Sequence, residues 1–459
     1  MQSNDTIAAL ATPFGHSGIG VIRLSGPRAR KIMGLIFRPA RNITSFRSHT
    51  LYHGDILSPE TGCVIDEALL CLMEKPRSYT GEDVVEINCH GGPLIIQTIL
   101  KTLFSLGARP ADPGEFTRRA FLNNRMDLAQ AEAVLDLIQA KTEDGVRQSA
   151  AHLKGSLHQE WSALREEIID AMATLEASID FSDEDAAGEE IAVIAARIDR
   201  ILDRVTSLLD SYSRGKVLRD GLRVLLMGKP NVGKSSLLNC LLSSDRAIVT
   251  PFPGTTRDFI EEAIQIGGIP VTLTDTAGIR QSPEAIEEQG IIRVWEKLEE
   301  ADLVLAIFDG SRAMDDDDRL ILEKTQGKKR IIIINKTDLP PRLEASDLSP
   351  REGTEQPLLI SAKFKTGLSP LLQEISRTVV YDGSLHKESV CLSRLRHADI
   401  LQEAAKNLRQ ARKNLREDCS AETAAVELQD ALCHLDELSG KGLPEEVLAR
   451  IFTQFCIGK

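Results

Sequence analysis

The chain has 459 residues, a length that favours about three domains rather than one core. Its formal net charge is −13 and only 4% of its residues are aromatic, so a nucleic-acid binder that relies on its own stacking platform is disfavoured. No stretch approaches the roughly 20 apolar residues of a membrane span, and the amino end lacks a signal-peptide pattern. We therefore expect a cytoplasmic protein with no membrane partner, and cysteines without a C-x-x-C pair suit such a reducing compartment.

Residues 1–118 alternate short β-rich runs with glycine and proline punctuation. The runs lie at residues 7–11, 20–24, 67–73 and 84–88. This pattern predicts an α+β domain. Residues 15–20 lack the spacing of a dinucleotide-binding loop, so we interpret them as a glycine-rich turn. His90 could be catalytic, but a histidine with a structural role in a turn or at a helix start is favoured.

From residue 119 the apolar residues recur at helical spacing. One face carries Leu128, Ala131, Leu135 and Ile138. After a compact α/β segment at 217–382, the spacing returns and aligns Leu428, Leu432, Leu435 and Leu438. We therefore predict a discontinuous helical-bundle domain, in parts 119–216 and 383–459, with the α/β domain inserted between them.

The stretch 228–235, Gly-Lys-Pro-Asn-Val-Gly-Lys-Ser, follows an apolar run and precedes a helical-looking sequence, as a phosphate-binding loop does. Its glycines let main-chain N–H groups turn toward phosphate oxygens, Lys234 can reach the outer phosphates, and the Ser235 hydroxyl can ligate Mg²⁺. The sequence therefore predicts a nucleoside triphosphate site. The predicted contacts in this stretch are Asn231, Val232, Gly233, Lys234, Ser235 and Ser236.

Two later motifs identify the base. Asn335, Lys336 and Asp338 belong to an N-K-x-D motif that ends a buried-strand pattern. A carboxylate at Asp338 can accept both the ring N–H and the exocyclic amine of guanine, so the triphosphate is predicted to be GTP. A second base-contacting loop is indicated by Ser361, Ala362 and Lys363. The inserted domain is thus predicted to be a Ras-like P-loop GTPase (G) domain.

Between these motifs lie two segments with the character of nucleotide switches, 254–258 and 275–278. Asp275 can hold the Mg²⁺ shell, Gly278 can offer its N–H to the γ-phosphate, and Thr256 can complete the coordination of the metal. We predict Ser235 and Thr256 as the Mg²⁺ ligands. The predicted GTP contacts in these segments are Thr250, Thr255, Thr256, Asp275, Thr276, Ala277 and Gly278.

The chain as a whole closely resembles the MnmE (TrmE) family. The motifs that carry the resemblance are the stretch from Asp5-Thr6-Ile7 to Arg23, Tyr79-Thr80-Gly81-Glu82-Asp83, Pro113-Gly114-Glu115-Phe116, Gly254-Thr255-Thr256-Arg257-Asp258 and Phe455-Cys456-Ile457-Gly458-Lys459. The resemblance implies a GTPase that, in a heterotetramer with the FAD protein MnmG, adds a carboxymethylaminomethyl or aminomethyl group to carbon 5 of the wobble uridine in certain tRNAs. It also implies a homodimer through the amino-terminal domain, with G domains that pair on binding GTP and K⁺.

The same resemblance implies that the amino-terminal domain binds 5-formyl- or methylene-tetrahydrofolate as a one-carbon donor. Arg23, Glu86 and Lys459 match folate positions of the family, and Arg125 stands where its best-known members carry lysine. Cys456 is then a candidate nucleophile toward uridine, although an inert, packed cysteine is the favoured alternative. The apolar side chains of the tail, Phe455 and Ile457, predict that it docks near this site.

Ile279 stands where Ras-type GTPases place the glutamine that orients the attacking water. The resemblance assigns that role to Glu287. It also replaces the arginine finger with a K⁺ ion, for which the implied ligands are Asn231, Thr250, Phe252 and Thr255. A cation at the β/γ bridge neutralises developing charge as a finger does, a contribution of order 10³ to 10⁵ in rate.

A second hypothesis stays open, that of a GTP-gated ribosome or RNA assembly factor without modification chemistry of its own. The tail motif at 455–459 favours the first hypothesis. Two basic clusters are the best candidates for contact with tRNA, although on helices a solvated face is the commoner role. The clusters consist of Arg394, Arg396 and His397, and of Arg409, Arg412, Lys413 and Arg416.

Overall fold

The computed structural model describes residues 5–180, 187–244, 261–275, 287–348, 356–379, 390–417 and 421–459. The chain divides into two compact units. Unit 1 consists of Met1–Ile138, Ala151–Arg197 and Gln410–Lys459, and unit 2 of Gln139–Ala150 and Ile198–Arg409. The domain boundaries predicted at 118, 216 and 382 stay a prediction.

The amino-terminal part of unit 1 is a seven-stranded sheet in the order β3-β4-β5-β6-β2-β1-β7. Its strands are β1 (Ile7–Leu10), β2 (Ser17–Ser25), β3 (Phe37–Pro39), β4 (Thr50–Leu57), β5 (Val64–Met73), β6 (Val84–Gly91) and β7 (Arg109–Pro110). Neighbouring strands are antiparallel except for the parallel pair of β1 and β7. The helices are α1 (Ala29–Ile36), α2 (Pro93–Ser105) and α3 (Glu115–Leu122). A shared buried core joins α1 and α2 to side chains that alternate along β2, β5 and β6.

Two expectations about glycine-rich segments of this domain were wrong. Residues 17–20, assigned to a turn, belong to β2, where the register against β6 shifts between Ser17 and Gly20. His90 lies in β6 rather than in a turn or at a helix start. Its Nδ1 lies 2.7 Å from Oδ1 of Asp66, so its role is nevertheless that of a hydrogen-bonded strand residue.

Four helices follow, namely α4 (Leu128–Gln139), α5 (Glu143–Leu153), α6 (Ser156–Asp180) and α7 (Ala187–Asp220). On α4 the predicted face is buried at Leu128, Ala131 and Leu135, but Ile138 is 50% exposed. The helix ends one residue later, so Ile138 has no further turn to pack beside it. On α6 the buried side chains recur every three or four residues, as a packed helix requires: Leu157, Trp161, Leu164, Ile168, Ala171 and Leu175.

The second sheet lies in unit 2 and has six strands in the order β13-β12-β11-β8-β10-β9. The strands are β8 (Leu222–Met227), β9 (Glu261–Ile266), β10 (Ile269–Asp275), β11 (Leu303–Asp309), β12 (Arg330–Asn335) and β13 (Leu358–Leu359). All are parallel except the edge strand β9. The helices between these strands are α8 (Lys234–Ser244), α9 (Glu287–Glu300), α10 (Asp316–Thr325) and α11 (Ala345–Leu348), and α12 (Leu368–Val379) follows β13.

Every residue of the central strand β11 is buried, as expected for a parallel sheet covered on both faces. On one side of the sheet, Trp295 of α9 packs against a core that includes Leu225 and Met227. The ammonium of Lys324 lies 5.7 Å from the centroid of the Trp295 ring. Because parallel strands end at the same edge of a sheet, the carboxyl ends of β8, β10, β11, β12 and β13 lie at one edge.

Three helices complete the chain, α13 (Leu395–Arg416), α14 (Ala421–Leu438) and α15 (Glu445–Phe452). The four leucines aligned by the sequence pattern on α14 are all buried, and α14 packs against α6. No helix among the described residues is both long and apolar enough to cross a membrane.

Candidate functional site

The loop between β8 and α8 has a backbone that only certain residues can adopt. A Cβ on Gly228 would lie 2.5 Å from the main-chain oxygen of Ile307, and one on Gly233 would lie 2.2 Å from the side-chain nitrogen of Asn335. Gly233 and Asn231 have φ values of 102° and 65°, in the left-handed region that glycine and asparagine tolerate best. Close packing therefore requires glycine at both positions, and the backbone conformation favours it at 233 as well.

Lys234, the predicted phosphate-binding lysine, is 5% exposed at the start of α8. Its Nζ donates to the main-chain oxygens of Gly228 and Lys229, at 2.9 and 2.8 Å. These bonds fold the side chain back over the loop, where its charge can meet a phosphate. Ser236 is exposed. The side chain of Val232 is buried in the core of the sheet, so only its main chain is available to a ligand of the loop.

Ser235 and Asp275 meet where β8 and β10 run parallel, with Asp275 opposite Leu226. Ser235 Oγ donates to Oδ2 of Asp275 at 2.8 Å, and Asp275 is 4% exposed. A hydroxyl oxygen and a carboxylate oxygen are hard ligands of the kind that Mg²⁺ prefers. The two residues therefore fit the predicted Mg²⁺ site.

Asn335 joins the phosphate loop to the predicted base loop. Its amide nitrogen donates to the main-chain oxygen of Val232 at 2.8 Å, and its amide oxygen accepts the N–H of Ala362 at 3.0 Å. The thiol of Cys240, on α8, donates to the main-chain oxygen of Ala362 at 3.0 Å. Sequence reasoning missed this contact of Cys240, because nothing in the local pattern distinguishes it from an ordinary buried cysteine.

The side chains expected to face the base are held by their neighbours. Ser361 Oγ donates to Oδ1 of Asp338 at 2.6 Å, which orients the exposed carboxylate. Lys336, at φ 66°, forms an ion pair with Asp309 at 2.6 Å. Burial acts to raise the pKa of Asp309, but hydrogen bonds from Lys336 and Ser311 outweigh it and hold that pKa below its usual value. The exposed Lys363 places its ammonium 5.3 Å from the centroid of the Phe364 ring.

Much of the predicted switch chemistry lies outside the described residues. This applies to Thr250, Phe252, Thr255, Thr256, Thr276, Ala277, Gly278 and Ile279. Glu287 is the first residue of α9, and its side chain is outside the described part of the structure. The exposed Asn231 is the described residue among the implied K⁺ ligands.

A second cluster of predicted site residues lies on the sheet of unit 1. The register of β2 and β6 sets Arg23 directly opposite Glu86. Nε and Nη2 of Arg23 lie 2.9 and 2.8 Å from Oε1 of Glu86. The guanidinium carbon also lies 5.2 Å from the ring centroid of Tyr79 and 5.7 Å from that of Phe116. The structure thus presents a paired cation between two aromatic rings.

The tail docks beside this cluster. Arg23 Nη1 donates to the main-chain oxygen of Gly458 at 3.2 Å, and the N–H of Phe116 donates to that of Lys459 at 3.2 Å. Gly458 has a φ of 91°, and a Cβ there would lie 2.2 Å from the main-chain oxygen of Leu10. Phe455 is 4% exposed.

The docking was expected to use both apolar side chains of the tail. Ile457 is instead 60% exposed, so the expectation was wrong for this residue. Main-chain hydrogen bonds to residues of the Pro-Gly-Glu-Phe motif supply further contacts, among them that from the N–H of Gly114 to the main-chain oxygen of Cys456 at 3.4 Å. The side chain of Cys456 is exposed.

Charge in this cluster suits a ligand with acceptor or anionic groups. Burial lowers the pKa of Lys459 and the nearby Arg23 lowers it further, against smaller opposing effects of Glu86 and Cys456. An anion bound here would relieve the repulsion between the two cations. Arg125 donates from Nε to the main-chain oxygen of Ser78 at 3.0 Å, one residue before Tyr79.

An ion network that sequence reasoning missed, centred on the buried Arg119, supports α3. Arg119 is 4% exposed on its side chain and contacts Asp5 at 2.6 Å, Glu115 at 3.0 Å and Glu82 at 3.2 Å. Arg109 contacts Glu115 at 2.6 Å. Its pKa is raised, first by the hydrogen bond to Glu115, with a weaker opposing effect of burial. The network fixes the segment that carries Phe116.

The two basic clusters predicted from the sequence differ in their exposure to solvent. His397 is 1% exposed and Arg394 and Arg396 are half-buried, so these three do not form a solvated face. Arg409, Lys413 and Arg416 are exposed on α13, and Arg412 is half-buried. The second cluster therefore remains the better candidate for contact with an RNA backbone.

Comparison with known proteins covers the whole chain. The family model of the MnmE helical domain matches residues 128–456, and that of the GTP-binding protein TrmE N-terminus matches residues 6–125. The chain is 48% identical over 455 residues to the tRNA modification GTPase MnmE of Syntrophus aciditrophicus, with 99% of each chain covered. It is 43% identical over 458 residues to the protein of that name from Natranaerobius thermophilus, with 100% of each covered.

Among solved structures, the G domain of the T. maritima FeoB iron transporter is 26% identical, covering 34% of this chain and 98% of that one. The TM-score of that match is 0.27. This chain belongs to the MnmE family, whose curated relatives are named tRNA modification GTPases.

Proposed function

We propose that this protein is a tRNA modification GTPase that hydrolyses GTP and, with a flavoprotein of the MnmG type, uses a folate one-carbon donor to modify carbon 5 of the wobble uridine. The observation that carries the tRNA modification GTPase part of the proposal is the 48% identity over 99% of the chain to a curated protein of that name. The contacts of Asn335 support the GTPase part, because one buried side chain links the phosphate loop to the base loop.

In the nucleotide site, Lys234 and the main-chain N–H groups of the loop hold the phosphates, and Asp338 accepts the N–H groups of guanine. Ser235, Asp275 and Thr256 would hold Mg²⁺, which supplies charge neutralisation when bound. Glu287 orients the attacking water in place of the glutamine that Ile279 replaces.

In this proposal a K⁺ ion supplies the positive charge that an arginine finger supplies in other GTPases. Asn231 would hold it together with Thr250, Phe252 and Thr255. The left-handed backbone of Asn231 and its exposed side chain support a role in binding rather than in packing. When bound, K⁺ would supply positive charge at the β/γ bridge.

In unit 1, Arg23, Glu86 and Lys459 would hold the folate, with Arg125 as a further ligand. A paired guanidinium between the rings of Tyr79 and Phe116, beside a second partly buried cation, fits a ligand with acceptor and anionic groups. The exposed thiol of Cys456 is the proposed nucleophile toward uridine, since the docked tail holds it three residues before Lys459.

The proposed partners are MnmG, tRNA and a second copy of this chain. The second copy would pair through the amino-terminal domain, and the G domains would pair on binding GTP and K⁺. The exposed Arg409, Lys413 and Arg416 are the proposed contacts with tRNA phosphates.

Mass spectrometry of wobble nucleosides tests this function. Cells that lack the protein should lose the modified uridine, and the wild-type chain should restore it. Cys456→Ser should fail to restore it while its K⁺-stimulated GTP hydrolysis stays normal. Cys433→Ser is the matched control, because Cys433 is also exposed but lies on α14.

Normal wobble nucleosides in the deleted cells would overturn the proposed function. If ribosomal subunits were then found incompletely assembled, the assembly-factor hypothesis would take its place. Normal modification with Cys456→Ser would remove only the nucleophile from the proposal.

A further inference from the structure

Lys229 is the second residue of the phosphate loop, at a position that the loop motif leaves open to any residue. Its side chain leaves the loop toward the start of α10. There Nζ lies 2.9 Å from Oδ2 of Asp318 and also contacts the carboxylate of Asp315. The side chains of Lys229 and Asp318 are 20% and 8% exposed, so the pair is largely sheltered from solvent.

The acidic end of this pair is rigidly placed. Asp315 and Asp318 form a capping box, in which the N–H of each residue is bonded to the carboxylate of the other, at 3.2 and 3.3 Å. The helix behind them packs through Ile321 and Leu322 against the buried core of β11 and β12. The first turn of α10 is therefore a fixed support.

The carboxylate also depends on its cation. Within the described part of the chain, Oδ1 of Asp318 is buried without a hydrogen-bond partner. A buried carboxylate that loses its ion-pair partner keeps the cost of desolvation without the compensating attraction. The structure therefore favours the ion pair between Lys229 and Asp318 over a Lys229 ammonium that is hydrated by solvent.

The main chain of Lys229 contacts Lys234, the phosphate-binding lysine of the proposed function. The main-chain oxygen of Lys229 accepts from Nζ of Lys234 at 2.8 Å, next to the bond that Gly228 accepts at 2.9 Å. Gly228 is packed against the main-chain oxygen of Ile307 on β11. The first turn of the loop is thus held between β11 on one side and α10 on the other.

We propose that Lys229 is a positioning residue, whose ion pair with Asp318 braces the phosphate loop and so sets where Lys234 meets a bound triphosphate. The inference rests on the binding of GTP to this loop and goes beyond the proposed function, in which Lys229 has no part. The lysine touches the nucleotide site through its main chain, and its side chain acts on α10.

The test measures the dissociation constant of a fluorescent GTP analogue for the full-length chain in saturating Mg²⁺ and K⁺. Lys229→Ala and Asp318→Asn should each raise it about tenfold, the range expected for one lost charge-assisted contact, and Lys229→Arg should stay within about threefold of wild type. The turnover number at saturating GTP should change less than about twofold, since the reacting groups are untouched.

Lys328→Ala is the matched control. Lys328 pairs with Glu299 at 3.1 Å on the surface of the same unit, so its loss should leave nucleotide affinity unchanged. A merely structural effect of Lys229→Ala would instead lower the fraction of active protein without changing the affinity of the rest. If that variant does not fold, Asp318→Asn, whose amide oxygen can still accept the N–H of Asp315, carries the test.

The double variant Lys229→Ala with Asp318→Asn decides whether the two residues act together. A brace predicts an affinity loss no larger than that of one single variant, whereas multiplied losses of about a hundredfold would overturn it. Unchanged affinity in the single variants would also overturn it. If the wild-type chain itself binds no GTP analogue, the proposed function fails and not only the brace.

Discussion

Asn335 donates from its side chain to the main-chain oxygen of Val232 at 2.8 Å, so the residue that ends β12 also closes the phosphate loop. Asn335 is 2% exposed, and its amide oxygen accepts the N–H of Ala362.

We expect Asn335→Ala to leave two buried main-chain groups unsatisfied, which lowers the free energy of unfolding by about 2–4 kcal/mol. GTP affinity should fall with it. Urea unfolding and nucleotide titration measure both, with the exposed Asn239→Ala as control, and full GTP affinity in the variant would contradict the prediction.

Asp338 is held by the Ser361 hydroxyl at 2.6 Å. We expect Asp338→Asn to shift base preference from guanine toward xanthine, because an amide can donate to the 2-oxo group where the carboxylate accepted from the amine. Competition between GTP and xanthosine triphosphate measures the shift. Asp347→Asn, at another exposed carboxylate of unit 2, should leave the preference unchanged. A variant that still prefers GTP would show that Asp338 does not read the base.

GTP hydrolysis is expected to require K⁺, and Na⁺ should not replace it at matched ionic strength. Asn231→Ala should abolish the K⁺ response and leave nucleotide binding largely intact, since Lys234 and Ser235, the proposed phosphate and Mg²⁺ contacts, are unchanged. Alanine is strained at a φ of 65°, so Asn231→Gly is the cleaner variant, because glycine keeps the left-handed backbone without the amide. Equal turnover in the two salts, or a retained K⁺ response in Asn231→Gly, would refute the prediction.

Acidification should lower the free energy of unfolding of unit 1 by protonating Glu115, which is 7% exposed. Burial acts to raise the pKa of Glu115, but bonds from Arg109, the N–H of Asp112 and Arg119 outweigh it and lower that pKa. A carboxyl with a depressed folded-state pKa contributes stability above its unfolded value of about 4.3, and the contribution disappears as pH falls through the folded value. We therefore expect the free energy of unfolding to decline as the pH falls below about 4.3.

Glu115→Gln tests this source of acid sensitivity. The variant should be less stable than wild type at pH 7, and its stability should change less on acidification, as measured by urea unfolding followed by circular dichroism. Glu60→Gln, at an exposed glutamate, should behave as wild type. An unchanged pH profile in Glu115→Gln would place the acid sensitivity in other carboxylates.

The features that could be predicted from the sequence are each encoded by a short run of neighbouring residues. The phosphate loop from 228 to 235 and the end of β12 at Asn335 are each encoded by a short run of residues beside a buried strand, so their fold positions follow from local pattern. The leucine stripe of α14 is likewise local. The strands that precede the nucleotide motifs, β8, β10, β12 and β13, were therefore predictable from their own segments.

Long-range partners explain what could not be predicted. Arg119 and Asp5 are 114 residues apart in sequence, and no periodicity marks them as an ion pair. The strands β3 and β7 have three and two residues, too few for an alternating pattern. The contact of Lys229 with Asp318 likewise joins a motif position open to any residue to an acidic helix start that, alone, suggests only a cap.

The chain contains two tryptophans, and their surroundings differ. Trp161 is 3% exposed on α6, whereas Trp295 lies on α9, the helix that begins at Glu287, and has the Lys324 ammonium over its ring. A cation beside an indole changes the energy of its excited state, so any displacement of α9 during the nucleotide cycle would alter the emission of Trp295. The emission of Trp295 should therefore report displacement of α9 without an attached dye, and Trp161→Phe would isolate that signal.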